Sequence, residues 1–452
     1  MNASEKLFLS LLRCSIHREK PGPIDPEIWR EALRLARAHS VTPLVVDAAW
    51  SSDGGQKLGN GCREQAKRLT CTQAHRTGDF LLLYDFLVQR GLRPAVMKGI
   101  VLRALYPQPE QRASTDEDLL IRPEEFSAYH RALLDYGLSP VEPGEDLSKA
   151  HEVSYADRGK GLYIELHMQP FPPTSEAYGE LLGLFDGVLD RCVNVRVYGQ
   201  ELVTLSPTDH LIYLLCHAYK HFLHGGFGIR QVCDIGIFTK SNSDRIDWPY
   251  IRQSCEGIRI ERFAAGIYRI TEKHLGFSMP EVFADIAVDE SDLLTDILTG
   301  GLYGVNDINR AHSATITLDA VARQKQGKKS TGLLASVFLL AAAPGELRAL
   351  TDARAQAYLN ALRPVSAPLP ARLYAVGADC PARAALRAAS ADAAALYAVY
   401  DGSRFLGFTD DRRLVTALAE GRDARPGAQV FPQAAPQALR TTCIPAVRAH
   451  FG

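Results

Sequence analysis

The sequence has no Cys-x-x-Cys pair and no even cysteine framework: its nine cysteines are scattered from Cys14 to Cys443. That scatter excludes a disulfide-stapled secreted scaffold and suits a reducing compartment. Long hydrophobic runs are missing too. Met1 to Gly22 is interrupted by Glu5, Arg13, His17 and Arg18, unlike a signal peptide, and the longest late apolar stretch, Leu333 to Pro344, is too short to span a bilayer. Neither sign of charge is in excess. Lys and Arg number 51 against 52 Asp and Glu, a formal net charge of −1, so nucleic acid is not expected as an obligatory partner. A cytoplasmic protein with no membrane partner is the expectation. Two common signatures are also absent. His217 and His221 have the i, i+4 spacing of a zinc helix but lack the glutamate of His-Glu-x-x-His, and Gln324 to Ser330 lacks the first glycine of a phosphate loop, Ala322 standing there.

What is present centres on Arg112-Ala113-Ser114-Thr115-Asp116-Glu117-Asp118-Leu119-Leu120-Ile121. In a strand, side chains alternate faces, so Asp116 and Asp118 are expected on one side with adjacent carboxylates. Unpaired buried carboxylates are costly, and a divalent cation resolves the conflict. Mg²⁺ is commonly held by one or two carboxylates together with substrate phosphate oxygens. Upstream, Leu92 to Met97 reads as a strand ending in Lys98-Gly99, followed by a helical pattern from Ile100 to Tyr106 that stops at Pro107. Downstream, Leu162 to His167 reads as a strand carrying Glu165, the third acid of a metal or metal-plus-base site. Glu165 and His167 share a face, opposite Ile164 and Leu166. His167 either contacts nucleotide or metal, or is a polar neighbour of the site.

Lys98-Gly99, then Arg112-x-Ser114-x-Asp116-x-Asp118-Leu119-Leu120, then Ile164-Glu165-Leu166-His167, resembles the uncharacterised nucleotidyltransferase family of the polymerase-β-like superfamily. The likeness extends loosely to about Ala375. It implies an α+β fold, with a small mixed β-sheet core flanked by helices, and NMP transfer from an NTP such as ATP to an unidentified acceptor. Carried over by position, Asp116, Asp118 and Glu165 hold Mg²⁺ or Mn²⁺, with Glu165 as ligand or general base. Lys98, Gly99, Arg112 and Ser114 meet the nucleotide phosphates. The block His217, Lys220 and His221, with Arg230 and Asp234, forms either a basic wall facing the triphosphate or acceptor, or a packed helix whose histidines Asp234 caps. Two departures stand out. Lys98-Gly99 replaces the usual Gly-Ser, and Glu117 replaces an apolar residue, so the strand must be exposed or paired on its second face.

The chain is expected to divide into a helical N-terminal subdomain (1–91), an α/β core (92–200), a mainly helical domain (201–363), a stiff Pro-rich linker (364–370) and a small α/β appendage (371–452). Helices are expected over 4–15, 26–50 and 62–90. Asp25-Pro26-Glu27 opens the second with an N-cap acid and Pro at the first helical position. Arg158 to Gly161 is a hairpin loop between strands at 152–157 and 162–168. In the appendage, strands at 394–400 and 404–408 flank Asp401-Gly402-Ser403, with helices at 382–388 and 413–420. Ala398 to Thr409 resembles one cystathionine-β-synthase-type repeat, which implies a ligand-sensing module; a packing extension is the plainer reading. Two rivals to catalysis are a silent nucleotide-binding scaffold of the same fold and a regulatory protein governed by this appendage.

Overall fold

The computed structural model describes residues 1–301, apart from 143–146, 158–160, 174–178, 225 and 259, and beyond them the backbone of three strands with a few isolated positions. The expected loop at 324–330, the linker at 364–370 and the helix at 382–388 lie outside the described residues.

The N-terminal helices are α1 (Ala3–His17), α2 (Pro26–Ala38), α3 (Thr42–Trp50) and α4 (Asn60–Gln89). Asp25 caps α2 as expected, its carboxylate accepting the Glu27 N–H at 2.9 Å. The single helix expected over 26–50 is two. Ser40 takes a left-handed backbone (φ 54°), and Pro43 sits in the first turn of α3, where its missing N–H costs nothing and its ring prevents the helix from continuing through.

The central sheet has seven strands: β1 (Ala95–Met97), β2 (Glu117–Leu120), β3 (Ser139–Pro140), β4 (Glu152–Ala156), β5 (Tyr163–His167), β6 (Val193–Val197) and β7 (Gln200–Thr204), in the order β3-β4-β5-β2-β1-β7-β6. It is mixed: β1 pairs with β7 and β2 with β5 in parallel, and the remaining pairs are antiparallel. A short helix, α5 (Gly99–Arg103), follows β1, and α6 (Phe126–Tyr136) follows β2. The hairpin β6–β7 went unread in the sequence, and through β7 the sheet extends to Thr204. Five more helices follow among the described residues: α7 (Pro207–His224), α8 (Ile229–Asn242), α9 (Trp248–Gly257), α10 (Glu261–Leu275) and α11 (Ser291–Gly300).

Alternation along the strands sorts the sheet's two faces. Val96, Leu119, Ile164 and Leu166 bury against α6 and the C-terminal half of α4, around Phe80, Tyr84, Tyr129 and Leu133. Ala95, Met97 and Leu120 face the other way, into a core shared by α1–α3 and α7–α11. Polar residues in register with this second set therefore project toward α7 and α8. Separately, β8 (Leu373–Gly377) pairs in parallel with β9 (Leu396–Asp401), which pairs antiparallel with β10 (Arg404–Asp410). No described helix is long and apolar enough to cross a membrane.

Candidate active site

A cleft of about 670 Å³ opens where β1, β2 and β5 meet α7 and α8, and Lys98, Asp116, Asp118, Glu165 and His167 all line it. Strand register sets the spacing. Asp118 and Glu165 are paired positions on the neighbouring parallel strands β2 and β5, and Met97 pairs with Asp118 across β1. Asp118, Glu165 and His167 bring a donor atom each within 4.8 Å of one another. Asp116 lies one residue before β2, half-buried, on the same cleft but outside that cluster, and Thr115 Oγ1 donates to it at 3.2 Å.

Glu117 leaves this face. Its carboxylate accepts from the Ile100 N–H at 2.7 Å, at the start of α5, and from the fully buried Arg103 guanidinium. The second acidic face is thus paired rather than exposed. Gly99 is required here: its φ is +41°, and a Cβ would come within 1.8 Å of Glu117 Oε2. Ser114 is held by this scaffold, its hydroxyl accepting from Arg103 at 2.6 Å and its N–H donating to Gln73 Oε1 of α4 at 2.8 Å.

Cations offset the acids. Lys98 Nζ lies 3.0 Å from Asp118 Oδ1 and donates to His217 Nε2 at 2.9 Å. Burial works against the charged ammonium, but Asp118 together with Tyr213, Asp116 and Glu165 outweighs it and the Lys98 pKa rises. His167 Nε2 contacts Asp118 at 3.1 Å and Glu165 at 3.7 Å, and its Nδ1 is 3.3 Å from Glu152. Burial again opposes the charge, yet these three carboxylates push its pKa up to about 9, so His167 is an imidazolium at neutral pH. Burial also opposes ionisation of Glu165, but the His167 hydrogen bond and the Lys98 charge together hold its carboxyl below the usual range. On α7, burial first and Lys98 second hold His217 neutral, which makes it an acceptor for the lysine; His221 Nε2 stands 3.1 Å from His217 Nε2. Lys220 shares this wall, its pKa lowered by burial despite Glu152. No donor cluster of three or more among the described residues includes His217 or His221, so zinc has no complete site there.

Asp234 does not cap the histidines. It is bound to Arg112 by two hydrogen bonds, 3.0 Å from Nε and 2.7 Å from Nη2, and accepts from Tyr106 at 2.8 Å. Sequence reasoning missed Glu152, Arg76 and His210. Pairing of β4 with β5 sets Glu152 opposite His167, a signal the hairpin reading already contained. Arg76 reaches the Ser114 carbonyl oxygen at 3.1 Å from the middle of α4, with no local sequence cue. His210 Nε2 accepts the Lys98 backbone N–H at 3.2 Å and so holds that residue at its positive φ of 49°. Burial first and the Lys98 charge second push the His210 pKa down to about 3.

The carboxylates of Asp118 and Glu165 are oxygen donors held close together, a set that fits a hard divalent cation, which would replace Lys98 and His167 as their counter-charge. Comparison with curated proteins and with solved structures finds no match for the chain. The profile of a family described as "Uncharacterised nucleotidyltransferase" matches residues 25–276, more than half of the chain, and takes in every residue of the cleft. The mixed sheet with its flanking helices, the acids on β2 and β5 and this match agree, and the chain belongs to the uncharacterised nucleotidyltransferase family.

Proposed function

We propose that the protein transfers an NMP group from an NTP, ATP among the candidates, to a hydroxyl or phosphate oxygen of an acceptor, with release of pyrophosphate. The observation that carries this reading is the register-fixed pair of buried Asp118 and half-buried Glu165, beside Lys98 in the cleft. Asp118 and Glu165, with Asp116 at the cleft edge, are the residues to hold Mg²⁺ or Mn²⁺. Such an ion neutralises phosphate oxygens as a Lewis acid.

The chain's own groups do the rest. Lys98 offers its ammonium to the departing pyrophosphate, and the strained turn at Lys98-Gly99 fixes where that charge stands. Lys220 adds a second charge on the same wall, while His217 and His221 keep the lysine oriented. His167 hydrogen-bonds Asp118 and pairs with Glu165, whose carboxyl it helps to keep ionised. Glu165 either completes the cation site or takes the acceptor's proton; its lowered pKa keeps it ready as a base. Glu117, which departs from the family pattern, is turned away from the cleft and neutralised by Arg103, which supports the catalytic reading over a silent scaffold. The unpaired cysteines from Cys14 to Cys255 support a reducing, cytoplasmic setting.

Calorimetry tests the proposal. The wild type should bind an NTP only with Mg²⁺ or Mn²⁺ present, and Asp116→Asn/Asp118→Asn should lose that binding while keeping a cooperative thermal transition. A folded wild type that binds no NTP under any of these conditions would overturn it.

A further inference from the structure

The cleft holds a second group of cations, two guanidiniums of which only Arg112 is ion-paired with an acid among the described residues. Arg112 precedes β2, and Arg230 and Gln231 lie in the first turn of α8; all three line the cleft together with Asp234. Asp234 is shared between Arg112 and Tyr106. Arg230 directs its hydrogen bond to the Ala113 carbonyl oxygen, at 2.5 Å, and not to an acid. Two guanidiniums thus stand within electrostatic reach of one carboxylate, which Arg112 alone hydrogen-bonds.

Both also keep polar atoms that are buried and without a partner: Nη1 of Arg112, on a side chain only 4% exposed, and Nε of Arg230. Buried donors in folded proteins are nearly always paired, and a buried charge without a counter-charge is costly. The mutual repulsion is visible in Arg230, whose pKa is lowered by burial first and by Arg112 second. A planar guanidinium with donors to spare matches a carboxylate or a phosphate.

This group is separate from the lysine wall. Lys98 and Lys220 have Asp118, Glu165 and Glu152 as charged neighbours, whereas Arg230 has Arg112, Asp234 and Asp116. Asp116 stands within electrostatic reach of both Lys98 and Arg230. Transfer at phosphorus places the attacking and leaving oxygens roughly in line, on opposite sides of the phosphorus. With the lysine wall taken up by the leaving pyrophosphate, as in the reading above, the arginine group is left to the acceptor. Resting on the nucleotidyl-transfer reading above, we infer that the acceptor is itself anionic, and that Arg112 and Arg230 bind its phosphate or carboxylate group at the α8 end of the cleft. The chemistry stays balanced: an acceptor oxygen bonds to the α-phosphorus, the bond to pyrophosphate breaks, and a hydroxyl acceptor's proton passes to a base.

The test uses the full chain with Mg²⁺ and a non-hydrolysable α,β-methylene ATP analogue. Inorganic phosphate and acetate are titrated separately, with and without saturating analogue, into the wild type, Arg230→Gln and Arg230→Lys. The expected result is that one anion binds the analogue-saturated wild type, phosphate marking a phosphate acceptor and acetate a carboxylate one. Arg230→Gln should weaken that anion by about tenfold or more, with Arg230→Lys intermediate and analogue affinity within about threefold of wild type in both. Loss of anion binding on saturation with analogue would assign the arginines to the triphosphate and overturn the inference, as would weakened analogue binding in Arg230→Gln. Normal analogue binding with no binding of either anion would overturn it alone. Arg230-dependent anion binding without analogue binding would instead remove the nucleotidyl-transfer reading, and with it the assignment to an acceptor.

Discussion

Glu117 lies between Asp116 and Asp118 in the sequence, yet its carboxylate serves the other face of the strand, bound to Arg103 and to the first turn of α5. Alternation along β2 separates the two roles: odd positions join the α4–α6 core and even ones face the cleft. Glu117→Ala leaves a fully buried guanidinium without its counter-charge, and about 3–5 kcal/mol of stability should be lost in urea unfolding. A loss below about 1 kcal/mol would mean that Arg103 finds another partner. The alternation was legible in the sequence, and so was the choice it forces on the second face, exposure or pairing. That the partner is Arg103, fourteen positions upstream on a five-residue helix, was not, because it depends on how the chain turns between Tyr106 and Ser114. The same turn sends Arg112 to Asp234, a pairing across 122 residues that no local pattern announces.

At the scale of elements, the hydrophobic periodicities located the helices and the β4–β5 hairpin well, and failed where a break depends on a single residue. His39 marks one such break, between α2 and α3. Its Nδ1 accepts the Ile229 N–H of α8 at 3.3 Å and its Nε2 lies 3.3 Å from the Leu298 carbonyl oxygen of α11, so the ring must be neutral with its proton on Nε2. Burial depresses its pKa to about 4 from an ordinary 6.5. The unfolded chain then binds the extra proton first as pH falls. Stability from this residue is complete above pH 6.5 and declines as pH falls toward 4, by about 3 kcal/mol in total. Unfolding free energies measured from pH 7 to 4 should fall less steeply for His39→Leu than for the wild type; identical slopes would show that the ring is not the group titrating. The hairpin β6–β7 escaped notice for a related reason: β7 lies in mid-sheet through a parallel pairing with β1, more than 100 positions away in sequence.

For the whole molecule, the family match and the physical unit have different edges. The match begins at residue 25, whereas α1 lies before it and buries Phe8, Leu11 and Leu12 completely in the core that also holds α7, α8 and α10. Three such side chains contribute about 4.5–9 kcal/mol of burial, comparable with the net stability of a typical domain, about 5–15 kcal/mol. A chain starting at Asp25 should therefore aggregate or lose its cooperative thermal transition by circular dichroism. A cooperative transition within a few degrees of the wild type would show that α1 is dispensable.

The register of β2 on β5 has a further consequence for how the protein fails. Asp118 and Glu165 are neighbours because backbone ladders hold them, so nothing short of parting two strands in the middle of the sheet can separate them. Many enzymes lose function first, as a loop loosens, and structure later. Here the two losses should be one event: through a urea series, catalytic turnover and far-ultraviolet ellipticity should fall along the same curve, making activity itself a gauge of whether the sheet is intact.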